Sequence, residues 1–233
     1  MMKRTAAILV FGIALLVGGI HASDFSKGLR AQLTGDYVEA EKQYLLSAEQ
    51  GNLVAQYALA LMYFRGQGVP QDFQKAVKWY RLSAEQGYAM AQNNLAMMYL
   101  TGQGVTQDYK KAGEWLRLSS EQGYADAQFT LALMYKEGRG VTQDYKEAVK
   151  WYRLSAEQGF ADAQSNLGVM YANGEGVIQD DVYAHMWFNI AAANGESMSQ
   201  ENRDIIAKRM TSSQLAEAQK LARECVAKDY KGC

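Results

Sequence analysis

Four segments of the chain repeat one pattern of apolar and polar positions. From Gly123 to Gln158 the text is GYADAQFTLALMYKEGRGVTQDYKEAVKWYRLSAEQ. Near copies stand at Gly87 to Gln122 and Gly51 to Gln86, and a more divergent one at Gly159 to Asn194. The period is 36 residues throughout, a length that signals stacked supersecondary units. Ala127, Leu131, Met134 and Tyr135 are spaced as one face of a first helix. Gly138 ends that helix, because a left-handed residue costs least as glycine. Gly140 keeps the turn compact and Val141 tucks inward. Asp144 then caps a second helix by accepting a free backbone N–H. Tyr145, Ala148, Tyr152 and Ala156 form its buried stripe, with Trp151 and Leu154 beside it.

One such unit cannot fold alone. Each large apolar side chain that is buried contributes about 1.5–3 kcal/mol, whereas ordering a whole unit costs on the order of 50 kcal/mol. Stacked units share their apolar faces. Small residues at Ala60, Ala96, Ala132 and Gly168, and at Ala76, Ala112, Ala148 and Ala184, let helices approach closely. The predicted fold is therefore all-α, a solenoid of stacked antiparallel helix pairs.

Around the four full units (51–194) lie two different ends. Residues 23–50 form a shorter N-terminal cap unit, in which Gly35-Asp36-Tyr37 replaces the longer loop. Residues 195–233 form a polar C-terminal cap, with one helix over 199–210 and a last one, capped by Thr211 or Ser212, to about Lys228. No linker interrupts the text, so one continuous domain, 23–233, is expected. In the fourth unit Asp181 stands where the others carry Phe73, Tyr109 and Tyr145, and Tyr183 is placed to fill that space.

The run A-x-A-Q-x-x-L-A-x-M-Y-x-x-G-x-G-V-x-Q-D-x-x-x-A-x-x-W-Y resembles the Sel-one-like repeat, a relative of the tetratricopeptide repeat. The Gly66-Gln67-Gly68-Val69 loop and the Trp79-Tyr80 pair distinguish it from the plain tetratricopeptide unit. The resemblance implies a right-handed superhelical solenoid and an adaptor whose first helices line a concave side. Cysteine-rich members of the family have been linked to β-lactam binding or hydrolysis, which leaves an enzyme as an alternative. A self-assembling structural module is another.

The N-terminus changes the setting. Lys3 and Arg4 precede an apolar run of 15 residues, Ala6 to Ile20, short for a membrane span. Residues 1–22 therefore read as a signal peptide cleaved after Ala22, with an uncleaved anchor as the alternative. The expected location is the bacterial periplasm or beyond. Cys225 and Cys233 are the only cysteines. In an oxidising compartment they are placed to pair; two free thiols are the alternative. Formal net charge is −1, and without Lys3 and Arg4 the balance is 22 basic to 25 acidic residues. That balance gives no electrostatic case for nucleic acid or a membrane surface.

Chemistry is sparse. There is no G-x-S-x-G or S-x-x-K nucleophile motif. His185 stands alone after the leader, with no His/Cys cluster for a metal. The paired glycines of each loop follow helices and lack a third glycine, so they are not phosphate cradles. Trp79, Trp115, Trp151 and Trp187 recur with the period and read as packing between units. No catalytic residue, metal or cofactor is predicted.

One arc of the first helices varies while the opposite arc repeats. Its candidate partner-binding residues are Val54, Tyr57, Leu61, Phe64, Met90, Asn93, Met97, Leu100, Asp126, Phe129 and Lys136. It is apolar early and polar late, and Val54, Tyr57, Phe64, Met90 and Leu100 are expected to form one patch. A protein or peptide is the expected ligand; the alternative is an arc left unconstrained or covered by neighbouring helices. Oligomeric state stays open.

Overall fold

The computed structural model describes residues 24–233, so the leader lies outside the described residues. Among these residues the chain forms twelve helices and no strand; within 37–101 and within 109–207 each helix packs on the next. None is long and apolar enough to cross a membrane. The chain divides into two compact units, one ending at Gln107 and one from Asp108 to Cys233.

The first unit holds α1 (24–33), α2 (Tyr37–Glu49), α3 (Leu53–Arg65), α4 (Phe73–Glu85) and α5 (Ala89–Thr101). The repeated text has local causes. Asp36 and Asp72 cap α2 and α4 by accepting the backbone N–H groups of Glu39 and Lys75, satisfying donors that a helix start leaves free. At the other helix end, Gly66 and Gly102 are left-handed. The glutamine before each capping aspartate is used as well. Gln71 Nε2 donates to the Phe64 carbonyl at 2.8 Å and Gln107 Nε2 to that of Leu100 at 2.6 Å. The Gln-Asp pair thus satisfies one helix end and one helix start.

Polar side chains also tie neighbouring helices together. Buried Gln56 donates to the Ala48 carbonyl at 3.0 Å and accepts from Gln86 at 2.7 Å. Ser83 Oγ donates to the Leu53 carbonyl at 2.7 Å. Such fully satisfied buried groups specify register at little net cost. The second glycine of each loop has a role beyond turn geometry. A Cβ on Gly104, at φ +69, would lie 2.4 Å from the Phe73 carbonyl oxygen, so only glycine lets this loop lie on the start of α4.

The second unit holds α6 (Tyr109–Glu121), α7 (Ala125–Glu137), α8 (Tyr145–Ala156), α9 (Ala161–Asn173), α10 (Asp181–Ala193), α11 (Met198–Ala207) and α12 (Ser212–Ala227). The same devices recur. Asp108, Asp144 and Asp180 cap helix starts. Gln128 donates to the Ser120 carbonyl and accepts from Gln158. Arg153 donates to the Tyr171 hydroxyl at 2.6 Å, as Arg81 does to Tyr99 at 3.0 Å in the first unit.

Several expectations for this unit are refined. Tyr145 is 37% exposed and Leu154 39%, while Trp151 is buried. The stripe of α8 is thus Ala148, Trp151, Tyr152 and Ala156. Tyr145 is its first residue, and its backbone rather than its ring meets the Gly176 loop. Trp79, Trp151 and Trp187 are buried, consistent with packing. Tyr183 stacks on Tyr171 with ring centres 5.2 Å apart, and Asp181 pairs with Arg209 at 2.7 Å. Gly168 sits under the Phe188 ring, 2.9 Å from where its Cβ would be. The helix expected over 199–210 spans 198–207, and Thr211 opens α12 with a reciprocal capping box through Gln214.

Beyond α12, Cys225 and Cys233 form a disulfide. The closed segment lies on the end of α8. Lys231 Nζ donates to the Glu157 carbonyl at 3.0 Å, the Gly232 N–H donates to the Glu157 carboxylate, and the Tyr230 ring covers Gly159.

Candidate functional site

A cleft opens in the first unit between α3 and α5. Its volume is about 330 Å³, and it is lined by Leu61, Phe64 and Arg65 of α3, Tyr80 of α4, Asn94, Met97, Met98 and Thr101 of α5, and Gln103. The helical period explains the place. Ala55, Gln56, Leu59, Ala60, Met62 and Tyr63 are all buried, which turns Leu61, Phe64 and Arg65 the other way. On α5, Leu95, Ala96, Met98 and Tyr99 are buried and Met97 is 40% exposed.

Three of the expected residues, Leu61, Phe64 and Met97, line this cleft together. Phe64 is held edge-on against Phe73, with ring centres 5.6 Å apart. Fully buried Tyr80 is anchored by Asn94, whose Nδ2 donates to its hydroxyl at 3.2 Å. Burial pushes the Tyr80 hydroxyl well above the usual phenol range, with the Asn94 hydrogen bond and the Arg65 charge acting against it. Tyr80 is therefore a neutral hydroxyl at any physiological pH.

The remaining early candidates lie elsewhere. Val54 and Met90 are exposed in the first turns of α3 and α5. Tyr57 packs between Tyr80 and Tyr88, with ring centres 5.8 and 5.1 Å away, and burial raises its pKa. It is half-buried and does not line the cleft. Asn93, expected on the open arc, is buried at 7% exposure; its amide reaches Asn94 and its Oδ1 has no partner. Leu100 is half-buried and does not line the cleft. The five-residue apolar patch is thus replaced by a smaller cleft built on Leu61, Phe64 and Met97.

In the second unit Asp126 is exposed at the start of α7 and Lys136 is half-buried at its end. Phe129 packs between Tyr152 and Phe160, at 5.9 and 5.2 Å. It repeats the arrangement of Tyr57 and is half-buried. His185 is buried on α10, and burial holds its pKa below the ordinary imidazole value, with the nearby Arg203 charge second. Among the described residues no His/Cys/Asp/Glu cluster suits a metal ion.

Arg65, Tyr80, Asn94, Met98, Thr101 and Gln103 line the cleft without being among the eleven candidate residues; Arg65, Asn94 and Thr101 lie on the variable arc, the other three do not. Tyr80 comes from a second helix, which a wheel drawn on first helices does not include. Met98 faces the core on that wheel, and Gln103 follows the helix.

The Sel1 repeat profile matches residues 53–88, 89–124, 125–160 and 161–196. The chain belongs to the Sel1 repeat family. These spans have the period read above, shifted by two residues. A Sel1 repeat protein from Oxalobacter formigenes is similar over 85% of this chain and 74% of its own, at 30% identity and TM-score 0.69. MamA shares the fold at 21% identity and TM-score 0.50, over 78% of this chain and 96% of its own. A comparison with curated proteins finds no match. Sel1 repeat proteins are all-α solenoids that generally serve as protein–protein interaction scaffolds, and nothing in the family match indicates nucleic-acid binding.

Proposed function

We propose that this chain is an exported, non-catalytic scaffold that binds a protein or peptide through the first-helix face of its first unit. The observation that carries the reading is the cleft between α3 and α5. Leu61, Phe64 and Met97 border an opening of about 330 Å³. An apolar recess with a few polar groups at its edge is the form that protein hot spots fill. A partner segment laid along the two helices would set a large side chain into it.

A photo-crosslinking residue in place of Met97 tests this in the producing cells. One discrete crosslinked protein is expected, at least tenfold reduced when Leu61→Glu is added, since an anchor site of this kind contributes about 2 kcal/mol or more. Circular dichroism and melting temperature should stay close to those of the parent, because Leu61 lies outside the fully buried core. Equal crosslinking with and without Leu61→Glu would overturn the reading.

Export rests on the leader pattern of residues 1–22, and the Cys225–Cys233 disulfide supports an oxidising compartment. The intact mass of the protein recovered from the periplasm or medium should lack residues 1–22. A retained leader, or recovery only from the cytoplasm, would refute it.

A further inference from the structure

The charge pattern around the cleft says more about the partner. Helices α3 and α5 carry one charged residue between them, Arg65. It is exposed, it lines the cleft, and among the described residues it makes no ion pair. The guanidinium lies near enough to the Tyr57 and Tyr80 hydroxyls for its charge to act on both. It shares the lining of the recess with Phe64 and Tyr80.

We propose that the cleft takes a partner helix or peptide that inserts a large apolar side chain between Leu61, Phe64 and Met97 and carries a neighbouring carboxylate that pairs with Arg65. This rests on the binding role assigned above to the same face. The recess is about twice the roughly 150 Å³ of a dry cavity that admits benzene, so it has room for one aromatic or two aliphatic side chains. A segment seated there covers Arg65 and strips water from it. An apolar or basic neighbour leaves that cation unpaired, which is costly, whereas a carboxylate meets the guanidinium fork with two charge-assisted hydrogen bonds. The apolar side chain gives affinity and the carboxylate gives choice of partner and register.

The test uses three synthetic amphipathic peptides with Leu and Phe at i and i+4, one turn apart. Next to that stripe they carry Glu, Gln or Lys. Binding to the mature chain is read by fluorescence anisotropy, and occupancy by the methyl resonances of labelled Met97 and Met98. The Glu peptide should bind about five- to tenfold tighter than the Gln peptide and the Lys peptide weakest, the scale of a partly exposed charge pair. All three should move the Met97 methyl. Arg65→Glu should reverse the order of Glu and Lys, and Arg65→Gln should flatten it. Equal affinities with the Met97 methyl moved would overturn the carboxylate proposal and leave the apolar site standing. No movement of that methyl with any peptide would overturn both. Movement that depends on protein concentration alone would assign the cleft to a second copy. A difference in that methyl between the full chain and the chain without residues 1–22 would assign the cleft to the chain's own N-terminus. Either would overturn an external partner.

Discussion

The residues that line the cleft of the first unit have counterparts in the second, 72 residues on, placed on the same frame but different in chemistry. Leu61, Phe64, Arg65, Tyr80, Asn94, Met97, Thr101 and Gln103 correspond to Leu133, Lys136, Glu137, Tyr152, Asn166, Val169, Asn173 and Glu175. The helix caps, the buried glutamines and the loop glycines are the same in both. The outward residues are not. Phe64, packed on Phe73, becomes Lys136; the unpaired Arg65 becomes Glu137, which pairs with Arg139 at 2.8 Å. Asn94 holds Tyr80, but Asn166 turns to the Asp162 carbonyl at 2.9 Å, and the Tyr152 hydroxyl is buried without a partner. One scaffold therefore carries an apolar face with a lone cation in one unit and a mixed-charge face in the other. Stability lives in positions that repeat; on the function proposed above, recognition lies in positions that change.

If the frame is common to both units, breaking it should cost the same in each. Gly104 and Gly176 are the sharpest places to look. Both have φ near +70, and a Cβ would lie 2.4 Å from the Phe73 carbonyl oxygen or 2.3 Å from that of Tyr145. Gly104→Ala and Gly176→Ala should each destabilise by about 2–4 kcal/mol, combining a left-handed alanine with overpacking against backbone. Chemical denaturation of the two variants checks this. A large loss at one site and none at the other would mean that the two units are not held by the same devices.

Most of that frame was legible in the sequence, for a physical reason. Helix period, glycine at helix ends and aspartate at helix starts are local rules, so text repeated four times states them four times. The glutamines were less legible. The partnership of Gln56 with Gln86 is not a local rule, and only the stacking of helices brings them within 2.7 Å of each other. The site was half legible. The wheel separated Leu61, Phe64 and Met97 from the core, but it could not show that Tyr88 and Tyr80 close over Tyr57, or that Tyr80 of α4 forms part of the recess. Those are contacts between helices, and a one-helix projection contains none.

The smallest expected effect is the most specific to the comparison, because it changes one atom in each unit. Tyr80 and Tyr152 are both fully buried, and burial pushes both hydroxyls far above the usual phenol range. At Tyr152 the Glu137 and Glu175 carboxylates push the same way, whereas at Tyr80 the Asn94 hydrogen bond and Arg65 oppose. Removing the Tyr80 hydroxyl takes away a hydrogen bond and leaves the Asn94 amide without its acceptor. Tyr80→Phe should therefore cost about 1 kcal/mol. Removing the Tyr152 hydroxyl takes away a buried polar group that has no partner, and its desolvation penalty goes with it. Tyr152→Phe should be neutral or stabilise by up to about 1 kcal/mol. Ring packing is unchanged in both, so the difference between the two variants isolates the hydroxyl. Equal losses at the two positions would show that Tyr152 is as well satisfied as Tyr80, and the contrast between the two faces would then rest on Phe64, Arg65 and Met97 alone.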